Sequence, residues 1–145
     1  MTPIFFRGKE VSWIAMDVIR DGSIPPYIKC PSDMTILPAN DCLYNIDSVK
    51  SKAILVEGIT DVWRIGDGCI ASMTKSLNSR QIDQLTEYGV KKVFVMYDSD
   101  AIKNAKLAAN KLSGFFSVEI IELSEGDPAD LSINEAKDLK ESLLN

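Results

Sequence analysis

The sequence predicts an α/β fold: a mainly parallel sheet of about four strands flanked by helices, preceded by a small strand-and-loop subdomain. From about Ser51 onward, short apolar runs alternate with helix-like segments, which is typical of successive βαβ units. Two of these runs end abruptly in acidic residues, as expected where buried strands reach the open edge of a sheet. Residues 1–50 differ, because prolines interrupt them and their apolar segments are short.

Four short apolar runs in the second part of the chain are predicted to be strands. Near-continuous apolar sequence is typical of parallel strands that are buried on both faces. The runs are Ala53–Val56, Cys69–Ala71, Val93–Tyr97 and Val118–Ile121.

Helical segments separate these strands. A short helix is predicted after Gly58, beginning near Thr60 or Asp61. Ser79–Tyr88 carries its apolar residues on one face and is followed by Gly89, a residue that commonly ends helices. Each of these segments therefore connects two predicted parallel strands.

Two further helices complete the predicted domain. Ala101–Leu112 presents an alanine and leucine stripe, and its lysines largely face away from that stripe. The last helix begins after Ser132, and Glu135 three residues later matches a capping box. Its predicted buried residues are Ala136, Leu139 and Leu143.

The first fifty residues are predicted to form a separate, smaller unit. Proline interrupts them at Pro25–Pro26, Pro31 and Pro38, and Val11–Met16 fits the alternation of a strand only loosely. We therefore predict a small N-terminal subdomain over residues 1–50 and an α/β domain over residues 51–145.

Composition narrows the functional classes. Hydrophobic residues make up 46% and charged residues 26% of the 145 residues, which is ordinary for a globular protein. No apolar run approaches the roughly 20 residues that cross a bilayer, and no secretory leader is evident, so we expect a cytoplasmic protein without a membrane partner. The net charge of −5 does not favour nonspecific binding of nucleic acid. Three irregularly spaced cysteines and no histidine exclude a Cys/His zinc site and favour reduced thiols.

Acidic residues cluster where the predicted strands end. Because the carboxyl ends of parallel strands meet at one edge of a sheet, we expect these side chains to converge. Converging carboxylates repel one another unless a divalent cation lies between them, so the pattern predicts a magnesium site. The six candidates are Glu57, Asp61, Asp98, Asp100, Asp127 and Asp130.

Simpler roles are open for several of these residues. Asp127 precedes Pro128 and could start a turn, and Asp61 could favour the start of a helix through the helix dipole. Most lysines are expected to lie on solvated helix faces. Lys75 is the best candidate for a phosphate contact, because it follows the second strand near the acidic edge.

The acidic segments resemble a known family in order and spacing. Val56–Asp61, Tyr97–Asp100 and Asp127–Asp130 resemble the three acidic motifs of the Toprim domain. That domain is shared by DnaG-type primases, type IA and type II topoisomerases, OLD-family nucleases, RecR recombination proteins and a ribosomal-RNA maturation nuclease. The resemblance covers roughly residues 52–131.

Within that superfamily the chain most resembles the catalytic core of phage or bacterial primases. The Glu57-Gly58-x-x-Asp61 form of the first motif is similar to theirs, as is Gly68–Met73. Upstream, Tyr27–Pro31 and Leu43–Asn45 resemble the segment that joins a primase's small N-terminal subdomain to its Toprim core, and Trp13–Asp17 does so more loosely.

The resemblance implies a role for each motif residue. Glu57 would be the catalytic acid/base or metal-organising carboxylate, and Asp98 and Asp100 would be catalytic residues that hold Mg²⁺ or Mn²⁺. The partners implied are single-stranded DNA and ribonucleoside triphosphates, with Lys29 and Lys75 as candidate nucleotide contacts. The residues that would complete the metal-binding surface are Asp61, Asp127 and Asp130.

The chain also departs from the primase pattern. Lys103 and Thr74 stand where the family usually has glycine, and Pro26 and Met16 stand where it has basic residues that grip template and nucleotide. A zinc-binding module and a helicase-binding region are not recognised in the sequence. The primase resemblance therefore implies a separate zinc module or a replicative helicase as a partner.

Three functions are therefore open. The first is RNA primer synthesis on single-stranded DNA, the second is a small Toprim nuclease, and the third is a non-catalytic module that binds metal or nucleic acid. A receiver-like signalling domain also collects acids at strand ends. We rank it low, because the adjacent acids after the first strand and the late lysine that it requires are not evident.

Overall fold

The computed structural model describes residues 1–19 and 21–145, which form two β-sheets and four α-helices. The first sheet has three antiparallel strands, and the second has four strands that are all parallel. The first sheet comprises β1 (Thr2–Phe6), β2 (Lys9–Met16) and β3 (Tyr27–Lys29). The second comprises β4 (Lys52–Val56), β5 (Cys69–Ala71), β6 (Lys92–Val95) and β7 (Ser117–Ile120). The helices are α1 (Ile59–Ile65), α2 (Ser79–Glu87), α3 (Ile102–Leu112) and α4 (Ile133–Leu144).

The order of strands in the parallel sheet determines where a site can form. The order is β5-β4-β6-β7, so the chain moves from β4 to one side and then crosses to the other. The topological switch point therefore lies between the carboxyl ends of β4 and β6. Open α/β sheets bind ligands in the crevice at this point.

The parallel sheet is covered by helices on both faces. Along β4, Ala53 and Leu55 belong to the core formed with α2 and α3, whereas Ile54 and Val56 belong to the core formed with α1 and α4. All four side chains are fully buried. This two-sided burial explains why the strand is apolar without interruption, and it confirms the predicted α/β architecture.

The predicted elements agree closely with the observed ones. The third apolar run is the exception, because regular pairing ends at Val95 rather than at Tyr97. The predicted capping box is present: the Glu135 N–H donates to Ser132 Oγ at 3.2 Å, and the Ser132 N–H donates to Glu135 Oε2 at 2.8 Å. No helix in the described ranges is long and apolar enough to cross a membrane.

The segment between the two sheets packs into the α/β core. Leu43 and Ile46 are fully buried there, and Tyr44 exchanges backbone hydrogen bonds with Ala71 of β5 at 2.9 and 3.2 Å. The small N-terminal sheet is the strand-rich part of the predicted subdomain. The proposed boundary at residue 50 stays a prediction, since residues 43–49 contribute to the second unit's core.

A buried glutamine connects this segment to the loop after β5. The Gln81 side-chain amide, fully buried on α2, donates to the carbonyl oxygens of Cys42 and Ser72 at 2.9 and 2.8 Å. Buried amides stabilise a structure when their hydrogen bonds are satisfied. Gln81 therefore fixes the loop that runs alongside the end of β4.

Candidate metal centre

Four of the six predicted acidic residues line one cavity at the topological switch point. Glu57 follows β4 directly, and Asp98 lies three residues after the end of β6. Together with Asp61 and Asp127 they line a cavity of about 500 Å³. Folding therefore gathers acids that are up to 70 residues apart in sequence.

The two remaining acids, Asp100 and Asp130, lie at the periphery. Both are exposed and neither belongs to the cavity lining. Their charges still reach the site, because Asp100 contributes to raising the pKa of Glu57 and both contribute to raising the pKa of Asp98. They add negative potential without lining the cavity.

Backbone hydrogen bonds hold the three acidic segments together. The Ser99 N–H donates to the Gly126 carbonyl at 2.9 Å, which joins the second segment to the third. The Ala129 N–H donates to Asp61 Oδ1 at 3.1 Å, which joins the third to the first. Arg64 Nε on α1 adds a bond to the Ala129 carbonyl at 3.2 Å. Convergence of the acids is thus fixed by specific contacts.

Asp61 has a structural function in this arrangement. Its side chain is 4% exposed, and its second oxygen, Oδ2, accepts the Gly58 N–H at 3.1 Å. Burial raises the pKa of Asp61 to about 6, and the neighbouring Asp127 and Asp98 act in the same direction. Since both oxygens accept backbone N–H groups, Asp61 positions the first and third segments, and its role as a metal ligand stays a prediction.

Glu57 is the best placed of the candidate metal ligands. Its Oε1 atom is buried and finds no hydrogen-bond partner among residues 1–19 and 21–145. Burial raises the pKa of Glu57, and the charges of Asp98 and Asp100 raise it further. A buried carboxylate oxygen without a donor is costly unless it meets a cation. A cation bound at Glu57 Oε1 would therefore stabilise the site.

The charges around Asp98 likewise favour a cation at this site. Burial raises the pKa of this half-buried carboxyl, followed by the charges of Asp127, Asp100 and Asp130. None of the four ion pairs found in the described part of the chain involves these residues. The repulsion among the acids is therefore not relieved by a paired lysine or arginine.

The cavity lining supplies carboxylate oxygens, which are ligands that Mg²⁺ accepts. No three Cys, Asp or Glu side chains among the described residues form a ready-made metal cluster. Mg²⁺ keeps several waters and is usually bound by one or two carboxylates together with substrate phosphates. Glu57 and Asp98 would hold such an ion, and Asp100 and Asp127 would add charge around it.

Asp127 and Asp130 form the turn that carries the third segment. The Asp130 N–H donates to Asp127 Oδ1, and the Asp127 N–H donates to Asp130 Oδ2, both at 3.1 Å. These reciprocal bonds cap the short 3-10 turn Pro128–Asp130. The turn-forming role considered for Asp127 is thus present, and the metal-binding role of both residues stays a prediction.

Two of the predicted lysines line the same cavity as the acids. Lys29, at the end of β3, contacts Asn40 Oδ1 and lies 3.4 Å from the Met73 carbonyl oxygen. Lys75, in the loop after β5, lines the cavity and is exposed. A phosphate near the acids would therefore meet two ammonium groups, one from each sheet region.

Two residues near the site were not predicted to have a function. Met73 has a left-handed backbone with φ 56°, and its N–H donates to the Glu57 carbonyl at 3.1 Å, which fixes the loop against the catalytic glutamate candidate. Trp63 is 54% exposed on α1. Sequence carried no signal for either feature, because both depend on neighbouring loops.

Comparison of the sequence with protein-family models and with curated proteins finds no match. The Toprim resemblance consequently depends on the three acidic motifs themselves, and the function that it implies is a proposal.

Gly126 offers a direct test of the third segment. It has φ +68°, and a Cβ atom there would lie 2.5 Å from Asp130 Oδ2. We expect Gly126→Ala to lower the free energy of unfolding by about 1–3 kcal/mol and to weaken metal binding, since the left-handed backbone is strained and the turn is displaced.

Gly89→Ala is the matched control for this substitution. Gly89 has φ +71° but no atom within 4 Å of its added Cβ. Gly89→Ala therefore introduces the same backbone strain as Gly126→Ala, without a steric clash at the added Cβ. Urea denaturation and metal titration of both variants should show a larger loss for Gly126→Ala, and equal losses would mean that the turn is not needed by the site.

Proposed function

We propose that this chain is a Toprim-type protein that performs magnesium-dependent phosphoryl transfer on nucleic acid, most similar to the catalytic core of a primase. One observation carries the proposal. Glu57 and Asp98 follow adjacent parallel strands and line one cavity at the switch point, and Glu57 Oε1 is buried without a partner among the described residues.

The residues around the cavity suit a phosphate substrate. When bound, the cation would stabilise charge on phosphoryl oxygens and favour deprotonation of an attacking hydroxyl. Glu57, whose pKa is raised by burial and by the charges of Asp98 and Asp100, would act either as the acid/base or as the carboxylate that organises the metal. Lys29 and Lys75 line the same cavity and would attract the phosphate groups that the acids alone would repel.

Primer synthesis is favoured by the part of the chain that adjoins the acids. Tyr27 and Lys29, from the upstream segment that resembles primases, line the cavity together with Glu57. The proposed substrates are accordingly ribonucleoside triphosphates and single-stranded DNA. A replicative helicase or a separate zinc-binding module would be the expected protein partner.

A nuclease is the second candidate, and a specific observation favours it. Met16 and Pro26, which stand where primases have basic residues, line a neighbouring cavity. Neither side chain carries a positive charge, so these two positions cannot attract phosphate groups as basic residues would. A non-catalytic module that keeps only metal or nucleic-acid binding is the third candidate.

Product analysis separates the three functions. The protein is incubated with Mg²⁺ or Mn²⁺ and either ribonucleotides with single-stranded template or labelled DNA and RNA. We expect short oligoribonucleotides that require both metal and template. Trimmed substrate would establish the nuclease instead, and metal binding without either product would establish the module.

A further inference from the structure

A second cavity adjoins the one that contains the acids. Its volume is about 750 Å³, and it lies between the β2–β3 region and α1. Tyr27 and Thr60 line both cavities, so the two adjoin. A ligand could therefore extend from one into the other.

Two exposed aromatic side chains, Trp63 and Tyr27, line this second cavity. Trp63 is 54% and Tyr27 is 48% exposed. The Trp63 indole N–H donates to the Tyr44 hydroxyl at 3.0 Å, which restrains the orientation of the ring. A large exposed aromatic surface that is held in place is suited to stack against a planar ligand.

The two cavities differ in the charged side chains that line them. Asp17 is the single charged side chain among the described residues that line the second cavity. Its carboxylate disfavours a phosphate there, whereas it can accept a hydrogen bond from the ring N–H of a base such as uracil or thymine. The lysines lie in the first cavity, so a phosphate is favoured there.

We propose that the second cavity binds a nucleobase, stacked on Trp63 with Tyr27 at the junction, while the attached phosphates lie in the cavity that contains Glu57 and Asp98. This inference rests on the proposed function, because only a phosphate bound in the acidic cavity would place the attached base in the second cavity. The base comes either from a nucleoside triphosphate or from a single strand.

The test uses tryptophan fluorescence and binding. A Trp13→Phe background leaves Trp63 as the single source of tryptophan emission, since the chain has two tryptophans. The probes are uridine triphosphate, a short oligothymidylate, and inorganic triphosphate, which has no base. We expect the base-containing probes to quench Trp63 and Trp63→Ala to weaken their binding about tenfold, whereas Trp63→Phe retains most of the affinity.

Phe115→Ala is the matched control, because Phe115 is 68% exposed and lines neither cavity. It should leave binding unchanged. A loss confined to uridine triphosphate assigns the base to the nucleotide, and a loss confined to oligothymidylate assigns it to the strand. The inference is overturned if inorganic triphosphate quenches as strongly, if neither base-containing probe quenches, or if Trp63→Ala and Phe115→Ala behave alike.

The proposed function and the nucleobase cavity are tested separately. If metal-dependent activity requires Asp98 but Trp63→Ala binds the probes normally, phosphoryl transfer stands and the nucleobase cavity is rejected. If base-dependent quenching requires Trp63 but the protein has no metal-dependent activity, the cavity stands and the catalytic proposal is rejected.

Discussion

Replacing Asp98 and Asp100 together by asparagine should lower magnesium-dependent activity at least about a hundredfold and leave the fold intact. Metal catalysis of phosphoryl transfer contributes several kcal/mol to lowering the barrier, and each 1.36 kcal/mol is a factor of ten in rate. Asp98 lines the cavity, and Asp100 adds charge beside it. Activity is followed as metal-dependent product formation.

The same variant should not be less stable when metal is absent. The pKa of Asp98 is raised by burial and by like charges, which means that its ionised form is disfavoured in the folded protein. Removing that charge relieves repulsion. The control replaces Asp83 and Asp138, exposed on α2 and α4, by asparagine. Comparable activity loss in the control, or full activity in the test variant, would contradict the assignment.

The second large effect is expected at Asp61. Asp61→Ala should lower the free energy of unfolding by about 3 kcal/mol at pH 4, because the N–H groups of Gly58 and Ala129 both lose their acceptor. Activity should also fall, since the third acidic segment is no longer tied to α1. Asp83→Ala, which removes an exposed helical carboxyl, should change stability by no more than about 0.5 kcal/mol.

The destabilisation by Asp61→Ala should depend on pH. The folded pKa of about 6 exceeds the unfolded value near 3.8, so the folded state binds the proton first as pH falls. The associated stabilisation is complete below the unfolded pKa and is lost as pH rises through the folded pKa. Urea unfolding should therefore show a larger difference between wild type and Asp61→Ala at pH 4 than at pH 7. A constant difference would exclude the raised pKa.

The α/β part of the fold was predictable because burial on both faces leaves a strong sequence pattern. β4 is apolar from Ala53 to Val56, and the acid that follows it marks the point where the strand leaves the core. Parallel topology then dictates which edge the acids share. Local sequence alone was sufficient for these conclusions, since strand type and strand ends are both encoded locally.

The role of Asp61, the small sheet and the exposure of Trp63 depend on contacts that local sequence does not encode. Asp61 was predicted as a ligand, and its bond to the Ala129 N–H joins residues 68 positions apart. The small sheet was only loosely predicted, because β3 has three residues and is largely exposed, which leaves little hydrophobic pattern. The exposure of Trp63 was not predictable, because α1 is too short for its periodicity to define which face is exposed.

Calorimetric titration of the protein with Mn²⁺ tests the central claim that folded carboxylates create one divalent-cation site. We predict binding at pH 7.5, weaker binding with release of protons at pH 5 because the raised pKa values of Glu57 and Asp98 increase competition by protons, and loss of binding in the Asp98→Asn, Asp100→Asn variant. Equal binding by wild type and this variant at both pH values would contradict the claim.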